Sequence, residues 1–466
     1  MKEESRDWLW EPIPQRAQAP CDRFKHACAM YGGFIYIFGG RNNTILSDFW
    51  RYRIEYNEWE PLVCCEKSPE KLEGHSMVAY QAVLYVFGGM LDSGFTQGKT
   101  PLWLYNIDSE GWTQSHTKDT ERELTGPVNR KSHSAVVFEA GMYIYGGYLD
   151  LKGASEEFWF LNFDSMKWTR LPPGSCDCGP GPRYGHSSVV YKDAMYVFGG
   201  LVGMVEKNDF WTWNFYSQMW TIIKSRVYFD EIFATIDWTF GNYMLPSFRP
   251  PKVMGHSSVV FEDCMLVFGG GRPNDSATSH LWKFQFCSQS WKKISFKDVL
   301  PISQMYHSLL GVGLSFQQKI KFSNQSKDDF NQMLKEGQQS RAPYNTFQTL
   351  RYNKVSNITN GIEMKIFTQC PGVPLSTSKQ TFSKYCAIEG QAVLSEVETS
   401  FFNPMFGCPE DNEDMTRYPI KDGDVTIQHR DYSDVPLKHF PDVLLLIGGK
   451  PLAGCSSISI WQMKME

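Results

Sequence analysis

Six histidines pose the first chemical question. His26, His75, His133, His186 and His256 each stand 13 residues before the first glycine of a Gly-Gly pair, at Gly39, Gly88, Gly146, Gly199 and Gly269, and His307 opens a sixth unit. Imidazoles gathered at one place serve as metal ligands or general bases. Identical placement in every unit argues instead that these six build a repeated fold, because chemistry lives in sites grafted on a fold and not in its period. Two cysteine clusters, Cys64-Cys65 and Cys176-Asp177-Cys178, offer soft-metal ligands. Zinc sites draw four ligands from two spaced pairs, and no second pair is visible, so these read as ordinary loop thiols and no metal is expected. The stretch Gly94-Phe95-Thr96-Gln97-Gly98-Lys99-Thr100 falls one residue short of phosphate-loop spacing and joins two strand-like runs. Neither a Gly-x-Ser-x-Gly elbow nor a His-Glu-x-x-His helix occurs. No catalytic residue and no cofactor is assigned.

Composition bounds the elements that must position these residues. The chain has 466 residues, 42% hydrophobic and 21% charged, enough apolar side chain for a substantial core. The 46 basic and 51 acidic residues leave a formal charge of −5, which argues against a nucleic-acid partner held by phosphate contacts. No apolar run approaches the 18 residues of a membrane span, and the opening MKEESRDWLW lacks a signal-peptide core. A soluble chain of the cytoplasm, or also the nucleus, with no membrane partner is therefore expected. Its 12 cysteines show no repeated spacing and read as reduced thiols.

Tryptophan supplies the period. Pairs Trp50 and Trp59, Trp103 and Trp112, Trp159 and Trp168, Trp211 and Trp220, and Trp282 and Trp291 are each 9 residues apart and follow the Gly-Gly pairs ending at Gly40, Gly89, Gly147, Gly200 and Gly270. Each unit then reads as four short strands, a to d: an apolar run after His, a second run closing on Gly-Gly, an aromatic run around the first Trp and a run at the second. Successive histidines lie 49, 58, 53, 70 and 51 residues apart, the range of a four-stranded propeller blade. The sixth unit has strand a at His307, strand b at Val443 to Ile447 before Gly448-Gly449, and strand c around Trp461, and it lacks strand d. Trp10-Glu11-Pro12 matches Trp59-Glu60-Pro61, so residues 8–14 are predicted to complete the ring and remove its open edge.

The Gly-Gly closing an apolar strand and the Trp-to-Trp spacing resemble kelch repeats, over about 340 residues. The resemblance implies an all-β fold: a six-bladed kelch β-propeller closed by an N-terminal strand. The propeller is expected to use residues 1–312 and 441–466, its last blade drawn from 8–14, 305–312 and 441–466.

Departures from a repeat locate what the repeat does not need. In the sixth unit the count from His307 to Gly448 is 141, an excess of 128, so residues 313–440 form a long, partly disordered insertion between strands a and b. Within it a short helix near 326–336 is expected, with Phe330, Met333 and Leu334 on one face for packing or for a partner. A second insertion between Trp220 and His256 carries Trp238, Phe240 and Tyr243, read either as an exposed binding loop or as a small helix covering the flank. Strand alternation puts the b-to-c and d-to-a loops on one face. That face collects Arg41, Asn42, Tyr148, Arg183, Arg272, Asn274 and Lys450. The resemblance implies that such a face takes a protein client or short peptide, and the basic rim suits an acidic or carboxylate-bearing one. Arg183, with Arg23 and Arg130, also matches a common kelch position, and by the same repeat logic the three read as structural pins ahead of contacts.

These readings point to a non-enzymatic protein-protein interaction module. The chain is expected to be a monomeric adaptor or scaffold, with the substrate-recognition subunit of a cullin-type ubiquitin ligase as one specific version. The alternatives are a propeller enzyme acting on a small molecule in the axial channel and an actin-binding cytoskeletal protein. The family's iron-dependent enzymes carry Glu-x3-Asp-x3-His, whereas Glu410 and Asp414 here are followed by Tyr418.

Overall fold

Apolar runs of about five residues between turn residues are too short for helices and fit strands. A computed structural model describes residues 8–16, 18–89, 101–115, 126–172, 179–225, 249–272, 277–296, 301, 304–317, 440–452, 454 and 456–465. Strand β1 (Trp10–Pro12) opens the chain. Blade 1 is β2 (Ala27–Tyr31), β3 (Phe34–Phe38), β4 (Phe49–Arg53) and β5 (Glu58–Leu62); blade 2 is β6 (Ser76–Tyr80), β7 (Val83–Phe87), β8 (Leu102–Asn106) and β9 (Gly111–Gln114). Blade 3 uses β10 (Ser134–Phe138), β11 (Gly141–Tyr145), β14 (Phe158–Asn162) and β15 (Lys167–Leu171), with a separate hairpin β12 (Tyr148–Leu149) and β13 (Gly153–Ala154). Blade 4 is β16 (Ser187–Tyr191), β17 (Ala194–Val202), β18 (Val205–Asn214) and β19 (Met219–Ile222). Blade 5 is β20 (Ser257–Phe261), β21 (Cys264–Phe268), β22 (Leu281–Gln285) and β23 (Ser290–Ile294).

The sixth sheet has the order β1-β26-β25-β24, where β24 is Ser308–Val312, β25 Val443–Ile447 and β26 Ile460–Lys464. Trp10 pairs with Met463 and Pro12 with Trp461, so the N-terminal strand supplies strand d and the six-bladed ring closes as the repeat predicts. Innermost strands of neighbouring blades touch in sequence, and β24 touches β2. Among the described residues no helix is long and apolar enough to cross a membrane.

One motif glues the blades. The aromatic residue before each of the first five Gly-Gly pairs lies between the histidine and the strand-d tryptophan of the next blade, and Ile447 takes that position before Gly448-Gly449. Phe38 meets His75 at 5.7 Å and Trp112 at 5.6 Å; Phe87 meets His133 and Trp168; Tyr145 meets His186 and Trp220; Phe198 meets His256 and Trp291. Phe268 completes the series with His307 and Trp10, 5.5 and 5.4 Å away. Each buried ring thus makes edge contacts in addition to its apolar burial. The paired glycines follow from the same packing. A Cβ on Gly146, at φ +68°, would stand 2.5 Å from the Arg183 carbonyl of the next blade, and one on Gly40, at φ +91°, 2.8 Å from Cβ of His26 in its own.

The long insertion leaves and returns at one point. Ser315 donates its backbone N–H to Asp442 Oδ1 at 3.0 Å and its hydroxyl to Oδ2, while its carbonyl accepts from the Glu262 N–H and Phe316 packs on Phe261. Residues 318–439, including the expected helix with Phe330, Met333 and Leu334, lie outside the described residues. Because the two ends are already fixed on the propeller, replacing 318–439 with a short Gly-Ser linker is expected to leave Tm and the near-ultraviolet circular dichroism unchanged or slightly improved. Closure entropy favours the shorter loop by about 0.6 kcal/mol per halving. A fall in Tm beyond about 5 °C would mean that the excised residues help to hold the ring.

Candidate functional site

The residue before each histidine, Lys25, Gly74, Ser132, Gly185, Gly255 and Tyr306, lies at positive φ. In that conformation each backbone N–H reaches the carbonyl of the same residue in the preceding blade. Lys25 donates to Tyr306, Gly74 to Lys25, Ser132 to Gly74, Gly185 to Ser132, Gly255 to Gly185 and Tyr306 to Gly255, over 2.6–2.9 Å. Six hydrogen bonds thereby close a neck around the axis. A cavity of about 130 Å³ is lined by these neck residues and all six histidines.

The histidines are buried and neutral. Burial pushes His75, His133 and His307 down to about 3 and His256 to about 4, and holds His26 and His186 well below the ordinary imidazole value. Arg23, Arg130 and Arg183 lower His26, His133 and His186 further. Nε2 of His133 lies 2.8 Å from Ser76 Oγ, and Nε2 of His186 lies 2.9 Å from Ser134 Oγ, so the serine after one histidine serves the next blade's ring. Among the described residues no group of three or more His, Cys, Asp or Glu side chains is arranged to hold a metal ion.

Outside the neck a second ring of backbone bridges joins the residue after Gly-Gly to the residue two before the histidine: Phe24 with Arg41, Lys131 with Tyr148, Tyr184 with Leu201, Met254 with Gly271 and Met305 with Lys450. This ring brings charge to the mouth of the channel. Arg41 Nε contacts Glu73 at 2.6 Å, Lys25 Nζ reaches the same carboxylate at 3.8 Å, and Lys131 Nζ lies 3.6 Å from Asp150. Lys450 sits over the Phe24 ring at 5.5 Å and Lys25 over Tyr306 at 5.3 Å. Burial pushes the Lys25 ammonium below its ordinary value; Glu73 opposes that shift, and Arg41, Lys131 and Lys450 add to it. Among the described residues four cations, Lys25, Arg41, Lys131 and Lys450, thus meet two carboxylates, Glu73 and Asp150, an excess of two positive charges within that set.

Sequence comparison places this architecture among known repeats. The model of the family described as the FBX42 beta-propeller domain matches residues 23–220. Kelch domain-containing protein 10 of Bos taurus and of Homo sapiens is 27% identical over 203 residues, 42% of this chain and 44% of the relative. The chain is a kelch-repeat β-propeller. Host cell factor 2 of Homo sapiens is 29% identical over 233 residues, 42% of this chain and 29% of that protein. The leucine-zipper-like transcriptional regulator 1 homolog of Drosophila melanogaster is 26% identical over 264 residues, 55% and 24% respectively. The kelch chain spans less than half the length of these relatives.

On this propeller Arg41, Asn42, Tyr148, Arg272 and Lys450 lie on the b-to-c face as expected from strand alternation, and all keep solvent exposure. Arg183 does not join them. It is 1% exposed, its guanidinium forked onto Asp209 at 2.8 and 3.0 Å and bonded to the Gly199 and Pro180 carbonyls, so it pins strand c to strand b and offers no surface to a partner. Arg23 with Asp48 and Arg130 with Glu157 repeat the arrangement, and in each the carboxylate also accepts from a tryptophan Nε1, that of Trp50, Trp159 or Trp211. Asn274, Trp238, Phe240 and Tyr243 lie outside the described residues. Lys25, Glu73 and Lys131 were not singled out from the sequence, although their position one or two residues before a repeat histidine would have marked them.

Proposed function

We propose that this kelch propeller is a non-enzymatic adaptor, cytoplasmic or nuclear, that captures an acidic segment of a client protein at the basic mouth of its axial channel. The observation that carries this reading is the cluster of Lys25, Arg41, Lys131 and Lys450, which among the described residues is met by the carboxylates of Glu73 and Asp150. A carboxylate entering the mouth gains charge-assisted hydrogen bonds and offsets the lowering of Lys25, which burial causes and the neighbouring cations increase. The cavity lined by the neck residues and histidines, about 130 Å³, is smaller than the ~300–1,000 Å³ of typical small-molecule sites, which weighs against the enzyme alternative. Kelch relatives whose names describe regulators support protein recognition in general. Service as the recognition subunit of a ubiquitin ligase is the sharper form of the proposal, and recovery of a cullin with the full chain from cells is its test.

The mouth is tested directly with a fluorescein-labelled tetraglutamate peptide and the full chain. Arg272→Glu with Lys450→Glu reverses two exposed charges and is expected to weaken binding more than tenfold. Raising salt from 50 to 500 mM should also weaken wild-type binding, because exposed charges are screened over about 10 Å or less. Equal affinity of the wild type and the charge-reversed chain would refute the assignment of this face.

A further inference from the structure

We propose that hairpins of blades 3 and 4 form an apolar wall beside the basic mouth, so that the captured segment carries a large apolar side chain next to its acidic group. The inference rests on the acidic-segment reading above and narrows its ligand. In these two blades the b-to-c connection is built as a hairpin. β12 and β13 pair Tyr148 with Ala154 and Leu149 with Gly153. In blade 4, β17 and β18 run on beyond the Gly-Gly after a register shift between Phe198 and Gly200, and pair as far as Val202 with Val205.

The tip of the blade 4 hairpin, Val202-Gly203-Met204-Val205, is apolar where a solvated turn favours polar residues, and the turn of the blade 3 hairpin exposes Leu151 between Asp150 and Lys152. Leu151 is 83% exposed and Met204 93%, and Val205 and Tyr148 keep 49% and 38%. The hairpins stand side by side: the Tyr148 ring meets Tyr184 at 5.2 Å, and Tyr184 is bridged to Leu201 at the base of the second hairpin. Both are rooted in the mouth. Lys131 exchanges backbone hydrogen bonds of 3.0 and 2.8 Å with Tyr148, and its ammonium reaches Asp150 in the turn of the first hairpin. Basic and apolar surface are therefore continuous, and one short segment spans both.

Continuity with the cationic mouth identifies the occupant. Lys25 lines the recess at the neck, its ammonium 3.8 Å from Glu73, and an extended chain enters such a recess where a flat bilayer does not. Met204 and Leu151 are unbranched at Cβ and adapt to varied apolar partners, and covering them removes the exposed apolar area that marks interaction sites.

The test compares the tetraglutamate probe with the same peptide carrying Leu-Phe before the acids, by fluorescence anisotropy on the full chain. The wild type is expected to bind the Leu-Phe probe at least tenfold more tightly. Leu151→Ser with Met204→Ser, both at exposed tips, should abolish that tenfold gain and leave tetraglutamate affinity unchanged. Equal affinity of the two probes for the wild type, or full retention of the gain in the tip variant, overturns the wall. In either case the Arg272→Glu/Lys450→Glu chain separates the causes: loss of both probes there leaves the basic mouth standing, and retention of both removes the mouth as well. Tip-dependent sedimentation with phosphatidylserine vesicles, or tip-dependent dimerisation in analytical ultracentrifugation, would also overturn it by giving the wall to a membrane or to a second copy.

Discussion

Acidification from pH 7.5 to 5.5 is expected to lower the Tm of this propeller by about 10 °C or more, with a single cooperative loss of near-ultraviolet signal. Six histidines are buried with folded pKa values of about 3 to 4 or well below the ordinary imidazole value. Unfolded, each titrates near about 6.5. Between those values the unfolded chain binds protons that the folded chain refuses, so stability is complete above about pH 6.5 and falls as pH drops toward the folded values. At pH 5.5 each histidine contributes a loss of about 1.4 kcal/mol, and six together about 8 kcal/mol. That matches the whole stability of many domains, about 5–15 kcal/mol. The paired carboxylates Asp48, Glu157 and Asp209 are held below their ordinary value despite burial by hydrogen bonds and charge from Arg23, Arg130 and Arg183, so their contribution disappears only at lower pH. A drop between pH 7.5 and 5.5 therefore reports the histidines. An unchanged Tm over that interval would show that the six imidazoles accept protons in the folded ring.

The blades were legible in the sequence because both partners of each defining contact belong to the repeat. Phe38 is gripped by His75 and Trp112 of the following unit, and the same three positions recur with Phe87, Tyr145, Phe198 and Phe268, so the contact imposes a spacing. Gly40 and Gly146 are fixed by steric exclusion of a Cβ, which no other residue type avoids. The mouth was only half legible. Arg41, Arg272 and Lys450 follow Gly-Gly pairs and could be placed by counting, but Lys25 and Tyr306 are 306 minus 25, or 281, residues apart and meet only when the ring closes. Counting also cannot tell a side chain that faces solvent from one that turns inward, which is why Arg183 was counted with the rim. Its signal lay 26 residues downstream in Asp209, two before Trp211. The pairs Arg23 with Asp48 and Arg130 with Glu157 stand at nearly the same offsets, 25 and 27.

That pairing rule makes the second large effect specific. Blades 1, 3 and 4 carry arginine and a carboxylate, whereas at the same two positions blade 2 has Leu72 and Pro101, blade 5 Val253 and His280, and blade 6 Gln304 and Ser459. Both members are kept or both are absent, as expected where a lone buried charge costs more than an apolar pair. Arg183→Leu is therefore expected to destabilise the propeller by about 3 kcal/mol, at the lower end for a broken buried pair because Asp209 retains 27% of its side-chain exposure. The loss includes the bonds to the Gly199 and Pro180 carbonyls as well as the fork on Asp209. Adding Asp209→Asn removes the unpaired carboxylate while keeping an oxygen for Trp211 Nε1, which now donates to it over 2.7 Å. The double variant should recover about 1–2 kcal/mol in urea unfolding relative to Arg183→Leu alone, a coupling that a double-mutant cycle isolates. If the two substitutions simply add, the guanidinium holds the blade through Gly199 and Pro180, and the paired presence of the carboxylate in blades 1, 3 and 4 needs another cause.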